Sequence, residues 1–314
     1  METELILHHY DFSSFSEKVR LVLGMKGIPW RSVTIPSTLP KPDYMPLTGG
    51  YRRAPALQFG ADVFCDSVRI ISELEDRYPE PSIYPGPDRI AQRGFTAALE
   101  RWTDSILIRT TINYISSLHP EAERFTQEFL ADRAALLGKP KPGLGHGWQT
   151  ALRNLTQLRP QLHWVSGMLH DGRHYLFGDS LSLADCVVYH ALWIMDQLSY
   201  ERVALIPPDI RSWMDRIAAR GHGSNTVMSA HEALDIAAAA KPLPPLPSEA
   251  LDGDPAIGSE VLITPTDTGR DNSSRGILAY IDATRIGLLH RNDRVGEMAV
   301  HFPRFAYRVQ PVAG

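Results

Sequence analysis

The strongest constraint on this chain is an ordered pattern within its N-terminal quarter. Ser13-Ser14-Phe15-Ser16 leads into a helix, Ala54-Pro55 follows, and Asp66-Ser67 opens a second helix. Glu4 to His9 is short and apolar-led and reads as a strand, although the run is too brief to exclude a helix by periodicity. Phe15, Val19, Val22 and Leu23 then recur at helical spacing, preceded by serines suited to N-capping and stopped by Gly27 and Pro29. Ser13 therefore falls at the mouth of a helix, where unpaired N–H groups and the positive end of the helix dipole favour an anion. A thiol held there ionises more readily, and a serine hydroxyl beside it can donate a hydrogen bond to the thiolate.

Pro55 opens a short apolar run. Without an N–H it belongs at an edge or strand end, a cis bond being one form it takes. In that form the N–H and C=O of Ala54 face outward, and an extended peptide can pair with them as an added strand. Val63-Phe64-Cys65 leads into Asp66-Ser67, with Ile71, Leu74 and Tyr78 on one helical face. At that helix start a ligand carboxylate can take backbone N–H groups and the Ser67 hydroxyl, and Asp66 offers a negative partner to an ammonium group. Taken singly, each segment is explained by a cap or a turn.

In this order and spacing the segments resemble the N-terminal, thioredoxin-like domain of the glutathione transferase family. SSFSEKVRLVL resembles the family's active-site segment, YRRAPAL stands at its lysine-valine-proline turn, and CDSVRIISEL at its glutamate-serine helix start. The resemblance implies that Ser13 occupies the place of the activating serine of zeta- and theta-type classes, where omega-like classes keep a cysteine. A serine polarises a bound thiol but forms no mixed disulfide, so conjugation, peroxide reduction or a related addition is expected rather than deglutathionylation. By the same resemblance Tyr10 stands near the catalytic phenol of tyrosine-type classes and is a second candidate for the sulfur's hydrogen bond. Arg53, Ala54, Pro55, Asp66 and Ser67 are implied to hold glutathione, Arg53 at the glycyl carboxylate and Asp66 with Ser67 at the γ-glutamyl end. Asp66 is shorter than the family's glutamate, and Ala54 smaller than its usual residue. A homodimer, a small electrophilic co-substrate and a detoxifying role are implied likewise, with glutathione as co-substrate and no metal.

The chain has 314 residues and a net charge of −4, enough length for more than one domain and no hint of nucleic acid or an acidic membrane surface. Its two cysteines, Cys65 and Cys186, are too few for a disulfide framework and suit a reducing cytosol. No signal peptide, long apolar run or lipidation motif is seen, so a cytoplasmic protein is expected.

Four regions are expected: a thioredoxin-like domain over 1–80, an all-α domain over 87–240, a Pro-rich linker over 241–258 and a small all-β module over 259–314. Helices are expected at 89–117, 121–137, 147–170, 182–198, 209–220 and 225–239. Ser182 with Asp185 forms a capping-box variant before an apolar helix, a folding element rather than a catalytic one. Lys241 to Pro247 is a stiff connector. Short strands are expected at 259–264, 276–281, 285–290, 297–302 and 306–310, an antiparallel module with an SH3-like barrel as one form. The segment His301 to Tyr307 reads as an edge strand docking this module onto the helical domain, ahead of a protein-binding surface or a cover over the active site. With seven arginines, no lysines and six acids from Ser259 onward, the module is not a nucleic-acid patch.

The second-substrate pocket is expected between the Tyr10–Phe15 loop and a helix face bearing Trp102, Ile106 and Arg109, a stripe that also fits an ordinary core. His170 and His174 flank a glycine and lack a third metal ligand. Beside the enzyme reading stands a scaffold reading, in which the fold keeps glutathione affinity and the C-terminal module recruits a partner.

Overall fold

The computed structural model describes residues 4–118, 125–137, 147–199, 202–267 and 273–312. Strand β1 (Ile6–His9) leads into helix α1 (Ser14–Lys26). Ser13, extended at φ −77° and ψ 114°, caps α1 by accepting from the Ser16 N–H, and Gly27 ends it in the left-handed region at φ 62°. β2 (Trp30–Thr34) runs parallel to β1, and a short α2 (Met45–Thr48) precedes the antiparallel pair β3 (Ala56–Phe59) and β4 (Asp62–Cys65). α3 (Ser67–Arg77) closes this thioredoxin-like half.

The helical half begins with α4 (Arg89–Trp102), which passes through a π-helical turn at Thr103–Leu107 into α5 (Ile108–Leu118). α6 (Gln127–Leu137), α7 (Trp148–Met168), α8 (Leu183–Ser199) and α9 (Pro208–Ala218) follow. α8 is buried along nearly its whole length, so it is the central post of this half. The fully buried Asp185 fixes it, accepting from the Ser182 N–H and hydroxyl, the Leu176 N–H and the Trp213 indole at 2.7–2.9 Å. The residues expected to begin the helix at 121–124 lie outside those described.

Two expectations are corrected. Residues 225–239 are not one helix: Asn225–Val227 forms β5, a three-residue strand parallel to β2, and α10 (Ala230–Ala239) starts afresh behind a Ser229–Glu232 capping box. The local sequence is helix-compatible, but pairing with β2 overrides it.

The second correction concerns the last strands, β6 (Glu260–Pro265), β7 (Ser274–Ile281), β8 (Arg285–Asn292), β9 (Gly296–Pro303) and β10 (Tyr307–Pro311). β9 docks onto the thioredoxin-like sheet rather than the helical domain, pairing parallel with β4 through Asp62–Ala299, Val63–Val300 and Phe64–His301. One ten-stranded sheet results, in the order β10-β6-β7-β8-β9-β4-β3-β1-β2-β5. The β4 edge offered unpaired backbone groups, and β9 covers them.

Strand alternation divides the interior into two cores. Leu7, Leu57 and Phe64 face the first, with α1, α3 and the helical half. Ile6, Val63 and Cys65 face the second, with Ala233 and Leu234 of α10 and Val261, Leu278, Leu288 and Val300 of the C-terminal strands. The connector from α10 to β6 is anchored, the Leu243 N–H donating to Asp62 and the Glu249 N–H to the Ile281 carbonyl. Among the described residues no helix is long and apolar enough to cross a membrane.

Candidate functional site

Ser13 is 6% exposed at the start of α1, and its Oγ accepts from the Ser16 N–H at 3.2 Å. Accepting that bond leaves the hydroxyl its own proton, which can be donated to an atom in front of the helix.

The loop before Ser13 is held from beneath by Arg20, which the sequence reading did not single out. Its guanidinium donates to the Asp11 carbonyl at 2.9 Å, to His9 Nδ1 at 3.0 Å and, from Nη2 and Nε, to the one oxygen Glu17 Oε2 at 2.7 and 3.1 Å. Arginine can only donate, so His9 Nδ1 accepts and His9 Nε2–H donates to Ser32 Oγ at 2.8 Å. Burial, and then the Arg20 charge, pull the His9 ring down to about 4. The sequence signal for Arg20 was its i,i+3 spacing from Glu17 within α1.

Tyr10 is half-buried, its ring 4.8 Å from that of Phe12 and 5.8 Å from the Lys41 ammonium. Lys41, also not anticipated, is 1% exposed and donates to the Arg52 carbonyl at 2.8 Å. Burial, together with Arg133 and Arg52, pulls it down to about 7. Arg52 pairs with Asp132 of α6, which therefore lies over this corner.

Ala54–Pro55 is cis and sits at the start of β3. Asp66 caps α3 at φ 75°, a backbone conformation that L side chains rarely adopt and that is tolerated where surrounding structure fixes it. Its Oδ1 accepts from the Val68 N–H at 2.9 Å, and Oδ2 accepts from the Tyr307 hydroxyl of β10 at 2.9 Å. Burial pushes the Asp66 carboxyl up, against the opposing pull of the Val68 N–H, the Lys18 charge and the Tyr307 hydroxyl. Ser67 is buried at the first helical position. Arg53 points to the C-terminal strands, its Nη1 lying 3.0 and 3.2 Å from the carboxylate oxygens of Asp267.

The residues expected to form a second-substrate pocket have different surroundings. Phe15 packs against His190 of α8 at 5.3 Å, Trp102 lies 5.9 Å from Trp164 of α7, and Ile106 and Arg109 are exposed. Beside the Tyr10–Ser13 loop the structure gathers Phe12, Phe125 and Phe129 instead, with ring separations of 4.5–6.0 Å.

Behind the site the ammonium of Lys18, fully buried, reaches Glu100 at 2.8 Å and Asp104 at 2.9 Å, and Asp104 lies 3.0 Å from His190. Despite burial, the Lys18 charge and the His190 hydrogen bond hold the Asp104 carboxyl low, and the π-helical turn carries it to this position. The network ties α1 to the helical half. Among the described residues no group of His, Cys, Asp and Glu has the arrangement of a metal site. Burial pushes the thiols of Cys65 and Cys186 up, so neither is poised as a nucleophile.

Residues 7–82 match the family model described as the glutathione S-transferase N-terminal domain, and residues 135–221 match that of the glutathione S-transferase C-terminal domain. A GST-like protein from Pseudomonas syringae, known from its crystal structure, is 33% identical with a TM-score of 0.77, covering 99% of this chain and 100% of its own. A maleylpyruvate isomerase from a Ralstonia species is 28% identical over 189 residues, 57% of this chain and 77% of that protein. A zeta-class glutathione S-transferase from Euphorbia esula is 39% identical over 88 residues, 26% of this chain and 37% of that protein.

Proposed function

The chain belongs to the glutathione S-transferase family, and from that premise we propose that it activates the thiol of glutathione for attack on a small electrophile, with Ser13 as the donor to the sulfur. The observation that carries this reading is the Ser13 hydroxyl at the α1 N-terminus, held by the Ser16 N–H with its own proton free to donate. In this reading the thiol proton leaves to solvent. The thiolate, stabilised by the Ser13 O–H and the helix dipole, forms a carbon–sulfur bond to the acceptor as its leaving group or π-electron pair departs. Ala54 pairs with the peptide backbone, and Asp66 with Ser67 takes the γ-glutamyl end.

Arg53 remains the residue nearest the glycyl carboxylate by resemblance, but its pairing with Asp267 gives it a second partner to leave. Tyr10 is kept as the alternative sulfur donor. The ring cluster of Phe12, Phe125 and Phe129 supports an apolar or conjugated acceptor more directly than the stripe on α4 and α5 does. The isomerase relative adds an unsaturated carboxylic acid to the acceptors to screen.

The bonds from Tyr307 and Asp267 to Asp66 and Arg53 favour the C-terminal strands as a cover on the peptide site over their use as a detached recruiting module. A homodimer and a cytoplasmic location are proposed with the family reading, the latter supported by two buried free cysteines. The test is glutathione-dependent consumption of an acceptor panel by wild type and Ser13→Ala: turnover falls sharply in the variant with glutathione affinity nearly kept. Equal turnover would remove Ser13 from the role.

A further inference from the structure

We propose that Tyr307, in β10, is a positioning residue of the peptide site, aiming and charging the Asp66 carboxylate for a ligand ammonium group. The proposal rests on the reading above that Asp66 faces the amino end of glutathione.

Three observations converge on it. The Tyr307 hydroxyl donates to Asp66 Oδ2 at 2.9 Å, while Oδ1 is occupied by the Val68 N–H. The Tyr51 and Tyr307 hydroxyls lie 3.1 Å apart, and because Tyr307 spends its proton on the carboxylate, Tyr51 donates to Tyr307. A relay from Tyr51 through Tyr307 to Asp66 results. It is rigid: both tyrosines are buried, and their rings and Phe302 stand 5.4–6.5 Å apart.

The electrostatics require such a donor. Burial pushes the Asp66 carboxyl toward its neutral form, which attracts an ammonium poorly, and a hydrogen bond to the ionised form opposes that. Burial also pushes both phenols well above their ordinary range, so they remain protonated donors. Each carboxylate oxygen accepts one bond from the protein and keeps lone-pair capacity for an ammonium. The Arg53–Asp267 pair brings the segment after β6 to the residue preceding Ala54–Pro55, so the C-terminal part reaches the peptide site at two points. Tyr307 therefore acts on the ligand through Asp66, and its effect is confined to ligands that carry the amino group.

The experiment is calorimetric binding of glutathione and of its deaminated analogue, glutaryl-cysteinylglycine, to wild type, Tyr307→Phe and Tyr51→Phe, the full chain being used throughout. Wild type binds glutathione more tightly than the analogue. Tyr307→Phe weakens glutathione by about tenfold or more, the scale of one hydrogen bond to a charged group, and leaves analogue affinity within about twofold. Tyr51→Phe has the same pattern with a smaller loss. Equal weakening of both ligands by Tyr307→Phe, or of neither, would overturn the proposal while wild-type preference for glutathione stands. Absence of that preference in wild type would overturn the assignment of Asp66 itself.

Discussion

His301 Nε2 lies 2.9 Å from Asp62 Oδ1, a donor–acceptor bond between β9 and β4 across a sequence separation of 239 residues. The same imidazole accepts from the Tyr280 hydroxyl at Nδ1 over 2.8 Å and stacks on Phe64 with ring centroids 4.3 Å apart. The joint between the C-terminal strands and the thioredoxin-like sheet is thus both polar and apolar. Removing residues 249–314 is expected to lower stability and to deprotect the amides of β3 and β4, because the truncation strips β4 of its neighbour and opens the second core. Hydrogen exchange on both chains checks this; unchanged protection in β4 would show that the two parts fold independently.

Gly287 makes room for that joint. A Cβ there would lie 2.0 Å from Tyr280 Cε1 and 2.3 Å from Cδ1, in a ring whose hydroxyl serves His301. Gly287→Ala is expected to cost about 1–3 kcal/mol, the range for overpacking a filled core. Equilibrium denaturation measures it, and a variant as stable as wild type would mean that the ring can move aside freely.

Asp185 is the acceptor for four donors from three places in the helical half. Asp185→Ala strands the Leu176 and Ser182 N–H groups and the Trp213 indole, and should cost about 3–5 kcal/mol. Urea titration followed by tryptophan fluorescence is the check, Trp213 being one of six contributors to the signal.

His8 gives the fold an acid-sensitive component. It is buried on β1, and burial, partly opposed by its bond to Gln58 Oε1 at 2.7 Å, brings its ring down to about 4. Its folded value lies below the unfolded one near 6.5, so the unfolded chain binds the extra proton between them. The stability it contributes is full above about pH 6.5 and is lost as pH falls toward about 4. Thermal midpoints across that window should fall less steeply in His8→Leu than in wild type. Parallel slopes would place the acid sensitivity elsewhere.

Much of this was legible locally. The Phe15, Val19, Val22 and Leu23 spacing with Gly27 beyond it located α1, and turn residues located β6 to β10 to within a few residues. Trp30–Thr34 was not legible, because a strand covered on both faces, Trp30 toward one core and Val33 toward the other, need not alternate. Asn225–Val227 is a strand only through its pairing with β2. The β4–β9 junction and the Tyr307–Asp66 bond were equally hidden: a strand's sequence records that it has a buried face, not which distant edge it joins. Ser13 could be named because a cap has a local signature, whereas Arg20 and Lys41 act through partners fixed only by the fold.

The proposed role of Ser13 as the donor that stabilises the glutathione thiolate is measured most directly by the ionisation of the bound thiol, followed by its ultraviolet absorption across pH in wild type and Ser13→Gly. Glycine keeps the helix cap to within a few tenths of a kcal/mol, so loss of the hydroxyl is isolated from loss of the helix. The expected result is a thiol ionising well below the free value near 8.5 in wild type and returning toward it in the variant, with turnover down about 10²–10³-fold. Identical ionisation and turnover in the two proteins would contradict the account.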